Sequence, residues 1–191
     1  GIGDCLELKP TLEALRPIMA DPNVRKIGQN VKYDLIVLRC HGVEVAGVEF
    51  DTMIASFVLD SSRMSHGMNA LARELLGFDP IPITDVIGKG SNQITFDSAE
   101  THRQCEYSAE DADVTWQLAE IFREQLAGSQ LEPLFRETEM PLVEVLAAME
   151  FEGVRLETSM LARMGDERGG KLDGLRRQIH DAVGFPFNID S

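Results

Sequence analysis

Apolar residues recur along the chain at the spacings of regular structure, with glycine and proline as punctuation. Leu12, Leu15 and Met19 share one side of a helix predicted over 11–20, which stops at the turn Asp21-Pro22-Asn23. Residues 24–28 predict a short strand, and Asn30 can cap a helix running to about Cys40, with Gly42 in the usual position just past its end. Val43, Val45 and Val48 alternate with polar neighbours, which predicts a second strand over 43–50. Asp51 can cap a helix to about Leu59, and a further helix over 69–76 closes at Gly77. Residues 78–90 read as loop, with Pro80, Pro82 and Gly88-Lys89-Gly90. Asp97-Ser98-Ala99-Glu100 has the form of a capping box ahead of a long helix to about Leu126, broken by Gly128-Ser129. The helical pattern resumes from Leu131 to Glu152 with Pro141 inside it, stops at Gly153, and returns from Thr158 or Ser159 to about Val183.

The order is one strand–helix unit, a second strand, then helices. Two strands alone do not sustain a parallel sheet, so either partner strands lie outside this chain or the fold is mostly helical. The 191 residues suit one to one and a half domains, and 43% hydrophobic with 26% charged residues excludes a disordered tail, a collagen or a disulfide scaffold. No apolar run approaches the ~18 residues of a membrane span. Cys5, Cys40 and Cys105 share no metal spacing, and reduced thiols are the expectation. A net charge of −14 argues against holding duplex nucleic acid by bulk electrostatics. It agrees with a nuclease site, where carboxylates hold divalent metals and the metals hold phosphates.

Two clusters can carry chemistry. Gly28-Gln29-Asn30-Val31-Lys32-Tyr33-Asp34 spans the end of a strand and the start of a helix, where α/β proteins place ligands. Asp34, one turn into the helix, can project over the strand end, and Asn30 can point its amide to the same place. On residue types alone, Asn30 can equally be a simple cap and Asp34 an acid near the positive end of the helix. Tyr107-Ser108-Ala109-Glu110-Asp111 puts a tyrosine and a carboxylate four apart, on one helix face, where they can position a water beside a metal. The alternative is a half-buried tyrosine beside solvated acids. Gly88-Lys89-Gly90 lacks the Walker spacing and reads as a turn. His41, His66, His102 and His180 are not spaced as a metal pair and suit core or surface positions.

Together the clusters resemble the second and third motifs of the 3′–5′ proofreading exonuclease domain of family A DNA polymerases, the bacterial DNA polymerase I type. Phe50-Asp51-Thr52-Met53, Met68-Asn69-Ala70-Leu71-Ala72 and Gly88-Lys89-Gly90-Ser91-Asn92-Gln93 resemble that family in the right order. Glu139-Met140-Pro141-Leu142-Val143 through Phe151-Glu152-Gly153-Val154 is similar to the junction with the polymerase domain, and Phe187-Asn188-Ile189 to a landmark at the base of the thumb. The resemblance implies an α/β, ribonuclease-H-like (DnaQ-like) exonuclease domain over 1–134 and the first helices of the polymerase domain over 135–191. It implies catalysis by two divalent metal ions, Mg²⁺ or Mn²⁺, with Asp34 and Asp111 as metal ligands and Tyr107 orienting the attacking water. Gln29, Asn30 and Tyr33 would line the pocket for the frayed primer end, and Ile83 stands where the family often has an aromatic contact to that end. The implied partners are the single-stranded 3′ end of DNA and, through the rest of the polymerase, primer-template DNA. No membrane role is implied, and the implied location is the bacterial cytoplasm, at the nucleoid.

The family's first motif, Asp-x-Glu, has no counterpart: Asp4-Cys5-Leu6-Glu7 has the wrong spacing. The expectation is therefore an N-terminally truncated domain, inactive alone, with Asp34 and Asp111 facing one another across a cleft. A stand-alone exonuclease of the ribonuclease D type, an exonuclease-fold scaffold that does not cut, and a helical interaction module remain as alternatives.

Overall fold

The structure is a computed structural model that describes residues 6–189. It divides into a compact unit ending at Glu152 and a second beginning at Gly153. In the first unit, α1 (Leu8–Ala20) leads through a turn into β1 (Lys26–Gly28), α2 (Val31–Cys40) and β2 (Val48–Asp51). The strands are parallel, with Lys26 opposite Val48, Ile27 opposite Phe50 and Gly28 opposite Asp51, and a register irregularity between Lys26 and Ile27. Among the described residues neither strand has another partner.

The second strand is shorter than its sequence pattern. Residues 43–47 keep the alternation but not the ladder: Val43 is buried, the Ala46 N–H donates to the Met19 carbonyl at 2.9 Å, and the Lys26 N–H donates to the Gly47 carbonyl at 2.8 Å. Gly47 makes this approach possible. Its φ is +72°, and a Cβ there would lie 2.8 Å from the carbonyl oxygens of Pro22 and Val24.

Then come α3 (Thr52–Leu59) and α4 (Met68–Leu71), the latter continuing as a π turn over Ala72–Leu76 that ends at Gly77, φ +63°. The expected loop over 78–90 contains α5 (Ile83–Ile87). The expected capping box does not form. Phe96–Ser98 is a 3₁₀ turn, α6 (Thr101–Ala127) starts after Glu100, and no side chain caps it. The hydroxyls of Thr95 and Ser98 bond to each other at 2.8 Å, so Ser98 serves the turn instead of the helix. Segment 81–99 is tied to α6 by side chains. Glu110 accepts the Ile81 N–H at 2.6 Å, Arg103 donates to the Asp85 carbonyl at 2.9 Å, and Gln104 donates to the carbonyls of Phe96 at 2.8 Å and Ala99 at 2.9 Å.

The core forms where α6 lies beside the strands. Val114, Leu118, Ala119, Phe122 and Leu126 make one buried stripe on α6, packed with Phe50 of β2, Ala55 of α3, and Leu71 and Ala72. The stripe also meets Phe135, whose ring centroid lies 4.8 Å from that of Phe50. Phe135 belongs to a continuous helical stretch: α7 (Glu132–Leu134), a π turn over Phe135–Glu139, and α8 (Met140–Glu152). Pro141 has no N–H for the helix ladder, and the wider turn directly before it accommodates the lost bond. Val143 and Ala147 of α8 pack on Val31 and Leu35 of α2, Lys32 pairs with Glu150, and the Arg39 guanidinium stands 5.6 Å from the Phe151 ring centroid. Packing is thus continuous through residue 134 and up to Glu152.

The second unit holds α9 (Thr158–Val183), which has no buried residue; Leu172, Leu175 and Ile179 on it are exposed. The ring of His180, in the last turn of α9, meets that of Phe187 edge to face at 5.4 Å. No helix among the described residues is long and apolar enough to cross a membrane.

Candidate functional site

The site begins at the two places where a strand feeds a helix. Asp51 ends β2 with its side chain 1% exposed. Its Oδ1 accepts the N–H of Met53 at 2.8 Å and of Ile54 at 3.2 Å, the N-cap expected for α3. The same Oδ1 accepts the Asn30 N–H at 3.1 Å, and Oδ2 accepts the Val31 N–H at 2.7 Å. One carboxylate therefore serves the starts of both α2 and α3. Asn30 does not cap α2: it stands at φ 59°, ψ 47°, and its side chain makes no cap bond. Asparagine is among the few residues that tolerate this left-handed conformation, which explains its presence without a capping role.

Beside this junction opens a cleft of about 410 Å³. Asp34, in the first turn of α2, lines one part of it; Asp111, Thr115 and Trp116 of α6 line another, with Gln29 and Met68 between. Asp34 and Asp111, far apart in sequence and on separate helices, thus line one cleft. Gln29 is held firmly: its Nε2 donates to the His66 carbonyl at 2.9 Å, and its Oε1 accepts from the Thr52 hydroxyl. His66 is fixed in turn, its Nδ1 2.9 Å from the buried Ser56 hydroxyl and its ring edge-on to Phe57 at 5.4 Å.

Asp34 and Asp111 are both held above the ordinary carboxylate range. For Asp34 the causes are lost hydration against the cleft walls, then the charge of Asp51. For Asp111 they are lost hydration, then the charge of Glu110, opposed by the hydrogen-bonding Tyr107 hydroxyl. The Tyr107 hydroxyl is pushed up by lost hydration and by Asp111, so it keeps its proton at neutral pH. The Tyr107 ring rests against Phe96, with centroids 5.8 Å apart and planes at 63°. Asp111 Oδ1 is buried and has no hydrogen-bond partner. A buried carboxylate oxygen left unpaired is unfavourable unless a cation or donor meets it, so Asp111 fits part of a cation's ligand set, with the Asp34 carboxylate on the same cleft. No group of three or more His, Cys, Asp or Glu side chains is placed to hold a metal among the described residues.

Tyr33, 65% exposed, and Ile83, 38% exposed, do not line the cleft, and neither does Asn30. Thr115, Trp116 and Met68 do line it and were missed. Thr115 was legible, since Tyr107, Asp111 and Thr115 follow one another at four-residue intervals on one helix face. Met68 carries no such signal, because its place depends on how the loop after α3 returns.

Residues 2–127 match the family model described as 3′–5′ exonuclease, of the A-type DNA polymerases. The DNA polymerase I of Pseudomonas aeruginosa is 39% identical over 194 residues, which cover 100% of this chain and 21% of that protein. The DNA polymerase I of Rhizobium leguminosarum is 36% identical over 200 residues, covering 100% of this chain and 20% of that protein. This chain thus spans about a fifth of the length of these relatives. The solved "POL domain of Pol1 from M. smegmatis complex with DNA primer-template and dNTP" has the same fold, with a TM-score of 0.77 at 20% identity over 99% of this chain and 30% of that one. The chain belongs to the 3′–5′ exonuclease family of the family A DNA polymerases.

Proposed function

We propose that this chain is the proofreading portion of a bacterial DNA polymerase I, removing mismatched nucleotides from a single-stranded 3′ end by phosphodiester hydrolysis. The observation that carries this reading is the cleft shared by Asp34 and Asp111, where Asp111 has a buried unpartnered oxygen and Tyr107 stands beside it. Water attacks the terminal phosphorus, the bond to the 3′ oxygen breaks, and a nucleoside 5′-monophosphate leaves. Asp34 and Asp111, lining one cleft, would together hold the divalent ions, Mg²⁺ or Mn²⁺, that this hydrolysis uses. Bound there, such ions lower the pKa of water and stabilise charge on the departing oxygen. The protonated Tyr107 hydroxyl orients the attacking water, and Gln29, locked by His66 and Thr52, shapes the floor under the terminal nucleotide. Asn30, Tyr33 and Ile83 stand outside the cleft wall. The fold is the ribonuclease-H-like exonuclease fold, and residues from 135 onward open the polymerase domain, whose remainder binds primer-template DNA in the cytoplasm at the nucleoid.

The test is degradation of a 5′-labelled single strand with Mg²⁺ or Mn²⁺ by the full-length polymerase that carries this chain. Asp111→Ala or Asp34→Ala should slow laddering by at least about 100-fold while primer extension continues. Unchanged laddering in both variants contradicts the proposal.

A further inference from the structure

We propose that Asp51 is the positioning residue of the cleft, one carboxylate that ties the start of α2 to the start of α3 and thereby fixes where Asp34 stands relative to Asp111. The means of this alignment is geometric; its purpose rests on the exonuclease reading of the cleft. Asp51 does not line the cleft. An N-cap for α3 needs only the bonds from Met53 and Ile54, yet the same carboxylate also takes the N–H groups of Asn30 and Val31, which belong to the other helix. Strand register makes that reach possible: Gly28 lies opposite Asp51, so the carboxylate arises beside the chain as it leaves β1. There the backbone turns through Asn30, the one non-glycine residue with positive φ among those described. Most side-chain-bearing residues avoid that conformation, which asparagine tolerates, and here the bond from the Asn30 N–H to Asp51 braces it. Asp34 lies in the turn that follows, so its direction depends on where Asn30 and Val31 are pinned. Asp111 needs no such device, because Val114 and Leu118 anchor its helix in the core.

Asp51→Ser separates the two roles. A serine hydroxyl can still accept from Met53 or Ile54 at the start of α3, but it is too short to reach Asn30 and Val31. In the ¹⁵N-labelled chain, the Asn30 and Val31 amides of this variant should exchange with solvent at least about tenfold faster than in the parent, while Met53 and Ile54 keep their protection. Affinity for Mn²⁺ should fall about tenfold, and paramagnetic broadening should persist near Asp111 while fading near Asp34. Should Asp51→Ser not fold, Asp51→Asn gives the same answer. Its Oδ1 keeps three of the N–H groups, its amide nitrogen faces the Val31 N–H, and Val31 alone loses protection. Parent-like exchange at Val31 in both variants overturns the proposal. So does faster exchange in Asp51→Ser with Asp34 and Asp111 still answering Mn²⁺ together. A parent chain indifferent to Mn²⁺ contradicts the cation-binding role of Asp34 and Asp111 instead, and the exchange rates then decide on their own whether Asp51 joins the helices.

Discussion

Two aspartates show how differently the β2–α3 junction and the middle of α6 are built. At the junction, both oxygens of Asp51 are filled by backbone amides, four in all, within a site closed to solvent. On α6, Asp111 keeps Oδ1 buried and unpartnered, is held above the ordinary carboxylate range, and opens onto a cleft. The first arrangement stabilises the fold. The second stores an unmet demand for positive charge, which a folding optimum would remove and a binding site requires. Polarity and burial alone do not separate the two roles; the count of satisfied lone pairs does.

The sharpest way to break the contrast is to truncate both residues. Asp51→Ala leaves four buried or half-buried amides without an acceptor and should destabilise the chain by about 3 kcal/mol in urea unfolding. Asp111→Asn should change stability by less than about 1 kcal/mol, in the stabilising direction, since it removes a charge that the fold does not satisfy. A larger loss from Asp111→Asn than from Asp51→Ala would invert the comparison.

Titration sharpens it further. Because the folded pKa of Asp111 is raised, the folded chain binds more protons than the unfolded one from about pH 4 upward, and its stability falls as pH rises through that window. Asp111→Asn removes this share, so the variant should gain on the parent between pH 4 and neutrality, as read by unfolding at a series of pH values. A smaller effect is expected from Tyr107→Phe. The lost hydroxyl bond, which lowers the Asp111 pKa, should let it rise further, visible in the ¹³C shift of its carboxyl carbon. The smallest effect belongs to acids that water already satisfies. Glu167→Gln, which breaks the exposed pair with Lys171 on α9, should alter stability by less than about 0.5 kcal/mol.

Much of this is legible in the sequence. Gly42, Asp51, Gly77 and Gly153 mark helix ends by local chemistry, so α2, α3 and α8 fall where their sequence places them. Asp34, Tyr107 and Asp111 stood out by their place at a strand–helix junction and on one helix face. What failed depends on tertiary structure. The alternation at 43–47 reflects packing and backbone bonds to Met19 and Lys26, not a sheet ladder. The capping role of Asp51 toward α3 is local and visible; its reach to α2 exists only because parallel pairing sets Gly28 opposite it. Asn30 looked like a cap because asparagine suits both a cap and a left-handed turn, and residue type alone cannot choose between them.

The central claim is that Asp34 and Asp111, on separate helices, form one cation-binding cleft. Mn²⁺ affinity measured by electron paramagnetic resonance on the chain, on Asp34→Asn, on Asp111→Asn and on the double variant tests it directly. A shared site predicts that each single change weakens binding at least about tenfold and that the double variant loses little more than the worse single one. Losses that simply add, or affinity untouched by either change, would contradict it.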